Sequence, residues 1–360
     1  MTARPSTDPG VLDDPARRSE LDTGEHLRHL GGLGGQLRRG YAAGRGTARV
    51  PSGADASAVL VCGMGGSGVA ADVLRGLYAE RVAVPLVASK GYRLPAFAGR
   101  DTVVVAVSFS GNTEETMSAY REAVERGCRA IAVSCGGALE ELAVAEDLPH
   151  VRPPSDVPMP RMAIGDLSAA VVGVLEAAGV LPAAEGEVAQ AADVVDAVAA
   201  TVAPDRPLGD NVAKDLAAWN GDRTPVVWGS EGLAEAPAAR FRTQVNENAK
   251  APAMSSWLPE LDHNEIEGWS AGTGADHALV ALRHPLENAR VGDRFAATLA
   301  AIEPSGLEVR ELQAQGARPF DVLFSLVALV DFTATYLALL RGVDPTPIPV
   351  LSSLKERLAR

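Results

Sequence analysis

The chain has 360 residues, 47% of them hydrophobic and 22% charged, which is enough apolar material for about two globular cores. Its 33 basic and 46 acidic residues leave a formal net charge of −13, which excludes a chain built to track nucleic acid on a basic face. Cys62, Cys128 and Cys135 form no CxxC pair, so neither a disulfide framework nor a cysteine zinc site is expected, and a reducing cytoplasm fits best.

Residues 1–20 are rich in Pro, Asp, Arg and Ser and read as loose, with no apolar core of a secretory signal. Residues 21–44 place Leu21, Leu27, Leu30, Leu33 and Leu37 at roughly helical spacing, weakened by glycines. Then an alternation begins. AVLVCGM (58–64), VPLVASK (84–90), TVVVAVSFS (102–110) and RAIAVSC (129–135) read as strands, and LPHVRPP (148–154) as a possible fifth. Helices are expected after the glycine turn at 65, over 114–127 and over ALEELAVAE (138–146). A helical stretch follows over about 166–203, broken near Gly179 and Pro182, and then a linker at 203–210.

The alternation resumes with strands at TPVVWGS (224–230), HALVALR (277–283) and LEVREL (307–312), and a helix over 233–250. A long helix is expected over 319–342 and a closing one from 350. The apolar run VLFSLVALV (322–330) falls short of the ~20 residues of a membrane span and reads as buried core, so no membrane partner is expected. Near-continuous apolar strands alternating with helices argue for parallel sheets covered on both faces. The expected division is 1–45 as an N-terminal extension and helix, 46–203 as a first α/β unit and 204–360 as a second.

Two turns carry the chemistry. In CGMGGSGVA (62–70) the spacing of Gly63, Gly65 and Gly68 fits the G-x-G-x-x-G of dinucleotide sites. Such a site wants an acidic residue at the end of the next strand, to hold the ribose; here that strand ends in Ser89-Lys90, and no cofactor is expected. In VVAVSFSGNTEE (104–115), Ser108, Ser110 and Thr113 lie between a strand end and a helix start. Hydroxyls, free amides and the positive end of the helix dipole together cradle a phosphate. Simple capping by Thr113 or Thr116 is the plainer alternative, but one threonine suffices for that.

SFSGNTEET resembles the motif of the sugar-isomerase (SIS) domain, and GMGGSG the preceding turn of that domain. PMPRMAIG (158–165), NENAKAP (246–252), LPELDHNEIEGW (258–269) and GVDPTPIPVLSSLK (342–355) resemble, in order, the bifunctional phosphoglucose/phosphomannose isomerase family. The resemblance spans most of 55–360. It implies two tandem SIS-type, flavodoxin-like three-layer α/β domains. It also implies a cytoplasmic homodimer with a shared active site, and aldose–ketose isomerisation of hexose 6-phosphates without metal. By the same resemblance Gly66, Ser67, Ser108, Ser110 and Thr113 hold the phosphate and Glu247 is the base. Arg161 and Lys355 lie at the sugar, and His263 opens the ring from the partner subunit. One departure stands out: Met159 takes the place of the first proline in the family's proline–proline–arginine run.

Elementary chemistry is compatible with these roles. A carboxylate can relay a proton between C1 and C2, an imidazole titrates near neutrality, and a cation steadies an enediolate. Spacing alone would make Glu247 and Lys250 a surface i,i+3 pair. His263 begins an H-x-E, but no cysteine follows Cys135, which rules out a zinc deaminase; His263, His277 and His284 are too irregularly spaced for a metal set, so no metal is expected. Two rivals stand: a SIS-domain sugar-phosphate sensor without catalysis, and an isomerase of another, amino-sugar phosphate.

Overall fold

The computed structural model describes residues 8–270 and 272–358. The chain opens with helices α1 (Pro15–Leu21), α2 (His26–Gly31) and α3 (Leu33–Arg45). The first unit follows as β1 (Ala58–Cys62), α4 (Gly65–Tyr78), β2 (Leu86–Ser89), β3 (Thr102–Val107), α5 (Glu114–Glu125), β4 (Arg129–Val133), α6 (Gly137–Ala145) and β5 (His150–Val151). Helices α7 (Ile164–Ala177), α8 (Glu185–Thr201) and α9 (Val212–Asn220) lead to the second unit. It comprises β6 (Thr224–Ser230), α10 (Glu235–Asn248), β7 (Met254–Leu258), β8 (His277–Arg283), α11 (Ala289–Ile302), β9 (Glu308–Gln313), α12 (Pro319–Leu340) and α13 (Pro349–Leu358).

Both sheets are parallel, in the orders β2-β1-β3-β4-β5 and β7-β6-β8-β9. Alternation along the strands explains why they read as solid apolar runs. Val59, Val61, Val103 and Val105 join one core, while Leu60, Cys62, Val104 and Ala106 join another on the opposite face. The second sheet does the same: Val227, Val280 and Leu282 enter the first of those cores, and Val226, Trp228, Leu279 and Ala281 a third. The inner faces of the two sheets therefore share one core, with α12 buried from Phe320 to Leu340 inside it.

Several expectations change. Residues 8–20 are docked rather than loose: Asp14 caps α1 through Ala16 N and Arg17 N, Val11 and Leu12 are buried, and Asp13 accepts from Lys214 Nζ at 2.8 Å. Residues 1–7 lie outside the described residues. The glycines in 21–44 do two things: Gly32 ends α2 and opens α3, while Gly34, Gly40 and Gly44 mark close packing. A Cβ on Gly40 or Gly44 would stand 2.3 Å from the carbonyl oxygen of Asp166 or Ala170 on α7. Strand β7 and helices α9 and α11 were not anticipated. The edge strand β7, MSSWL, is buried only at Leu258 and has serines at its centre, so it carries no apolar run to read.

Candidate active site

In an open parallel sheet, ligands sit at the carboxyl ends of strands where the order reverses. In the first sheet that point lies between β1 and β3, and both phosphate-type turns leave from it. Ser67, in the first turn of α4, is buried, and its Oγ accepts from Phe109 N at 3.0 Å, tying one turn to the other. That leaves the Ser67 hydroxyl hydrogen free to donate. Ser108 Oγ and Thr113 Oγ1 are hydrogen-bonded at 2.9 Å, and Ser110 Oγ accepts from Asn112 N at 3.2 Å. Thr113 occupies the N-cap position of α5 but its hydroxyl makes no cap bond, and Thr116 Oγ1 is buried without a partner. Neither threonine performs the capping that would have explained it away.

Gly111 holds the second turn at φ +70°, and a Cβ there would lie 1.7 Å from Gly136 O. Gly111→Ala must push the turn off its neighbour, at a backbone cost of about 1–3 kcal/mol. The expected result is a KM for a sugar phosphate raised about tenfold or more, with a smaller change in kcat, in steady-state kinetics.

The first turn also abuts Arg161. A Cβ on Gly66 would stand 2.8 Å from both Arg161 N and Cα, so the backbones of cradle and arginine touch. The Arg161 side chain is buried. Its Nε donates to Asn248 Oδ1 at 2.8 Å, and its Nη2 donates to Pro345 O at 2.7 Å and Thr346 O at 2.8 Å. Its Nη1 lies 3.5 Å from Glu247 Oε2, on the last turn of α10, where the carboxylate side chain keeps 26% of its surface exposed. Burial, with Arg240 nearby, pulls Arg161 below its usual range, and Glu247 opposes that.

Lys250 does not pair with the Glu247 carboxylate. Its Nζ donates to the backbone carbonyls of Glu247 and, at 3.4 Å, of Pro345. Burial and then Arg161 lower the Lys250 ammonium to about 8. Arg161 and Lys250 thus grip the 343–348 segment between α12 and α13, which Thr23 also holds through Asp344.

The structure brings Gly66, Ser67, Ser108, Ser110, Thr113, Arg161 and Glu247 to one region. It does not bring His263 or Lys355 there within this chain. His263 is exposed on the turn after β7, and Lys355 is exposed on α13; among the described residues neither side chain makes a hydrogen bond or ion pair. Sequence reading missed what stands behind Arg161. Asn248 lies inside the NENAKAP stretch, and Arg240 donates from Nε and Nη2 to Asp331 at 2.7 Å each and from Nη2 to Arg161 O at 2.7 Å. Asp331 was visible as the charge that ends the apolar run 322–330.

The second sheet has its own crevice, and it is different. A cleft of about 760 Å³ opens between α4 and the strand ends, lined by Arg75, Lys90, Ser230, Trp257 and His284 among others. It lies apart from the Arg161–Glu247 pair. Carboxylates already occupy its amides: Glu235 accepts from Gly232 N at 2.9 Å and Glu287 from His284 N at 3.0 Å. An anion-binding role is filled from within.

A family profile described as bacterial phospho-glucose isomerase C-terminal SIS domain matches residues 209–358. A bifunctional phosphoglucose/phosphomannose isomerase of Caldicellulosiruptor bescii is 30% identical over 329 residues, covering 90% of this chain and 96% of that one. The chain belongs to the bifunctional phosphoglucose/phosphomannose isomerase family. A D-glucosamine-6-phosphate 4-epimerase of Sulfolobus acidocaldarius is also 30% identical, over 62% of this chain and 68% of its own. Among solved structures, a glucose-6-phosphate isomerase like protein of Thermus thermophilus shares the fold at a TM-score of 0.64 and 20% identity, covering 96% of this chain and 98% of that one. In this member of the isomerase family the tandem SIS-type fold is present in both halves.

Proposed function

We propose that this chain interconverts glucose 6-phosphate and mannose 6-phosphate with fructose 6-phosphate through an enediol. The observation that carries the reading is the Glu247 carboxylate at 3.5 Å from Arg161, whose backbone touches the hydroxyl-rich cradle at Gly66. Ser67, Ser108, Ser110, Thr113 and the amides around Gly66 hold the phosphate. Glu247 takes the proton from one of C1 and C2 and returns it to the other. Arg161 steadies the enediolate oxygen. The face on which C2 regains its proton decides between the glucose and mannose epimers. This reading assigns the proton transfers and charge stabilisation to side chains. The three cysteines are free thiols, which fits work in a reducing cytoplasm.

The working unit in this reading is a homodimer in which His263 of the partner subunit opens the sugar ring. Two features support it. His263 is exposed beyond the carboxyl end of β7 while Glu247 lies in the last turn of the helix that leads into its amino end, and α13 shows an apolar stripe, with Val350 82%, Leu354 50% and Leu358 72% exposed. Mixing Glu247→Gln and His263→Ala chains after joint refolding tests this. Half the chains then enter mixed dimers with one intact site of two, so activity returns to about a quarter of wild type. No recovery above the separate variants means that the two residues serve one chain.

The reading as a whole is tested by coupled assays on glucose 6-phosphate and mannose 6-phosphate, both of which are expected to turn over. The likeness to the 4-epimerase supports one alternative, an amino-sugar phosphate substrate. Turnover of glucosamine 6-phosphate with neither hexose 6-phosphate accepted would favour it. The sensor reading finds no support in the N-terminal helices, where Arg38 is paired to Asp193 and Asp196, and Arg39 to Asp166.

A further inference from the structure

Behind Arg161 lies a short relay of side chains that ends in the N-terminal helices, outside every motif that carries the family resemblance. Asn248 is 1% exposed and holds Arg161 by accepting from Nε at 2.8 Å. This contact fixes the orientation of the Asn248 carboxamide, because its oxygen must face the guanidinium. Its nitrogen, Nδ2, then faces two groups, Gln244 and His26. The Gln244 amide is best placed with its oxygen toward Arg240, accepting from Nη1 at 3.1 Å and Nη2 at 2.9 Å. In that orientation Gln244 turns its own NH₂ toward Asn248 Nδ2, and two donors meet. The acceptor left to Asn248 Nδ2 is His26 Nε2, at 3.4 Å.

His26 is the first residue of α2 and is 1% exposed. Burial holds its pKa well below the ordinary imidazole value, and the positive charges of Arg161, Arg240, His29 and Lys250 act in the same direction. A neutral imidazole with Nε2 as acceptor carries its hydrogen on Nδ1. That Nδ1 is buried and without a hydrogen-bond partner among the described residues. An unpaired buried donor costs about 1–3 kcal/mol. The histidine therefore sits at this position at a loss of stability, which is the pattern of a residue retained for what it orients.

We propose that His26 is a positioning residue for the isomerase site: its Nε2 fixes the Asn248 carboxamide, which fixes Arg161 against Glu247. This inference rests on the isomerase reading above, in which Arg161 meets the substrate. His26 itself touches no substrate. It acts through Asn248, and it makes the N-terminal helices part of the reaction centre.

The test uses full-length protein and the variants His26→Leu, His26→Gln, Asn248→Ala and the double variant His26→Leu with Asn248→Ala. Leucine fills the space but accepts nothing; glutamine offers an oxygen near the place of Nε2. His26→Leu is expected to lower kcat about tenfold with KM within about twofold, while its melting temperature changes little, because the unpaired Nδ1 donor that is lost offsets the Asn248 Nδ2 donor left without an acceptor. His26→Gln is expected to recover to within about threefold of wild type. The double variant is expected to lose no more than Asn248→Ala alone, since one residue acts through the other. A His26→Leu protein with wild-type kcat, or a double variant whose loss is the product of the two single losses, overturns the proposal. A second readout needs no activity: the ¹⁵N resonance of the Arg161 Nε–H group, assigned by its loss in Arg161→Lys. It is expected to shift or broaden in His26→Leu, and an unchanged resonance overturns the relay. If the wild type turns over no hexose phosphate, the isomerase reading fails while this resonance still decides the relay.

Discussion

Glu247→Gln is expected to lower kcat on both hexose 6-phosphates by about 10³-fold or more, with fructose 6-phosphate binding changed by less than about threefold. The structure explains why binding survives. Glutamine has the shape of glutamate but cannot take a proton from carbon. Arg161 does not depend on that carboxylate for its place, because Asn248 Oδ1 and the carbonyls of Pro345 and Thr346 hold it at 2.7–2.8 Å. The phosphate cradle is tied by Ser67 to Phe109 N and by Ser108 to Thr113, neither of which involves α10. The measurements are a coupled assay for turnover, calorimetry with fructose 6-phosphate for binding, and incorporation of solvent deuterium at C1 or C2. A variant that still exchanges the carbon-bound hydrogen at more than a tenth of the wild-type rate assigns the base elsewhere.

The largest expected loss of stability follows Asp331→Ala. Arg240 and Asp331 form a two-pronged ion pair at 2.7 Å, with side chains 1% and 3% exposed. Removing the aspartate leaves a guanidinium buried in the shared core, a cost of about 3–5 kcal/mol by urea unfolding. Replacing both partners, as Arg240→Met with Asp331→Leu, is expected to cost much less, since no charge is then stranded. The double replacement has a second consequence. Arg240 Nη2 also donates to Arg161 O at 2.7 Å, so the doubly apolar protein can be stable yet slow. Equal losses for the single and double replacements would show that the pair matters through packing and not through charge.

The central strands β1, β3, β4, β6 and β8 were legible because each is packed on two faces and therefore reads as a nearly unbroken apolar run; the edge strand β9, EVRELQ, was legible despite its exposure. Strand β7 was not, because the serines at its centre leave no apolar run. Ser108, Ser110 and Thr113 were legible because more hydroxyls crowd one turn than a helix cap needs. Arg161 and Glu247 were named through family motifs; their meeting across 86 positions, the kind of contact no local pattern contains, appears only in the fold. The i,i+3 spacing of Glu247 and Lys250 suggested a surface pair, but Lys250 is turned by its positive φ of 52° toward backbone carbonyls instead. His26 left no signal because a buried histidine in a glycine-broken helix looks like any other core residue.

The contacts of Thr23 with Asp344 and of Arg161 with the carbonyls of Pro345 and Thr346 bind the start, middle and end of the chain at one place. During synthesis, the first sheet can close on itself while the second is still being made. The proposed reaction centre cannot. Its arginine lacks two of its acceptors until position 346 has cleared the ribosome, so a nascent or C-terminally clipped chain can look folded by its sheets and still be unable to work on a sugar.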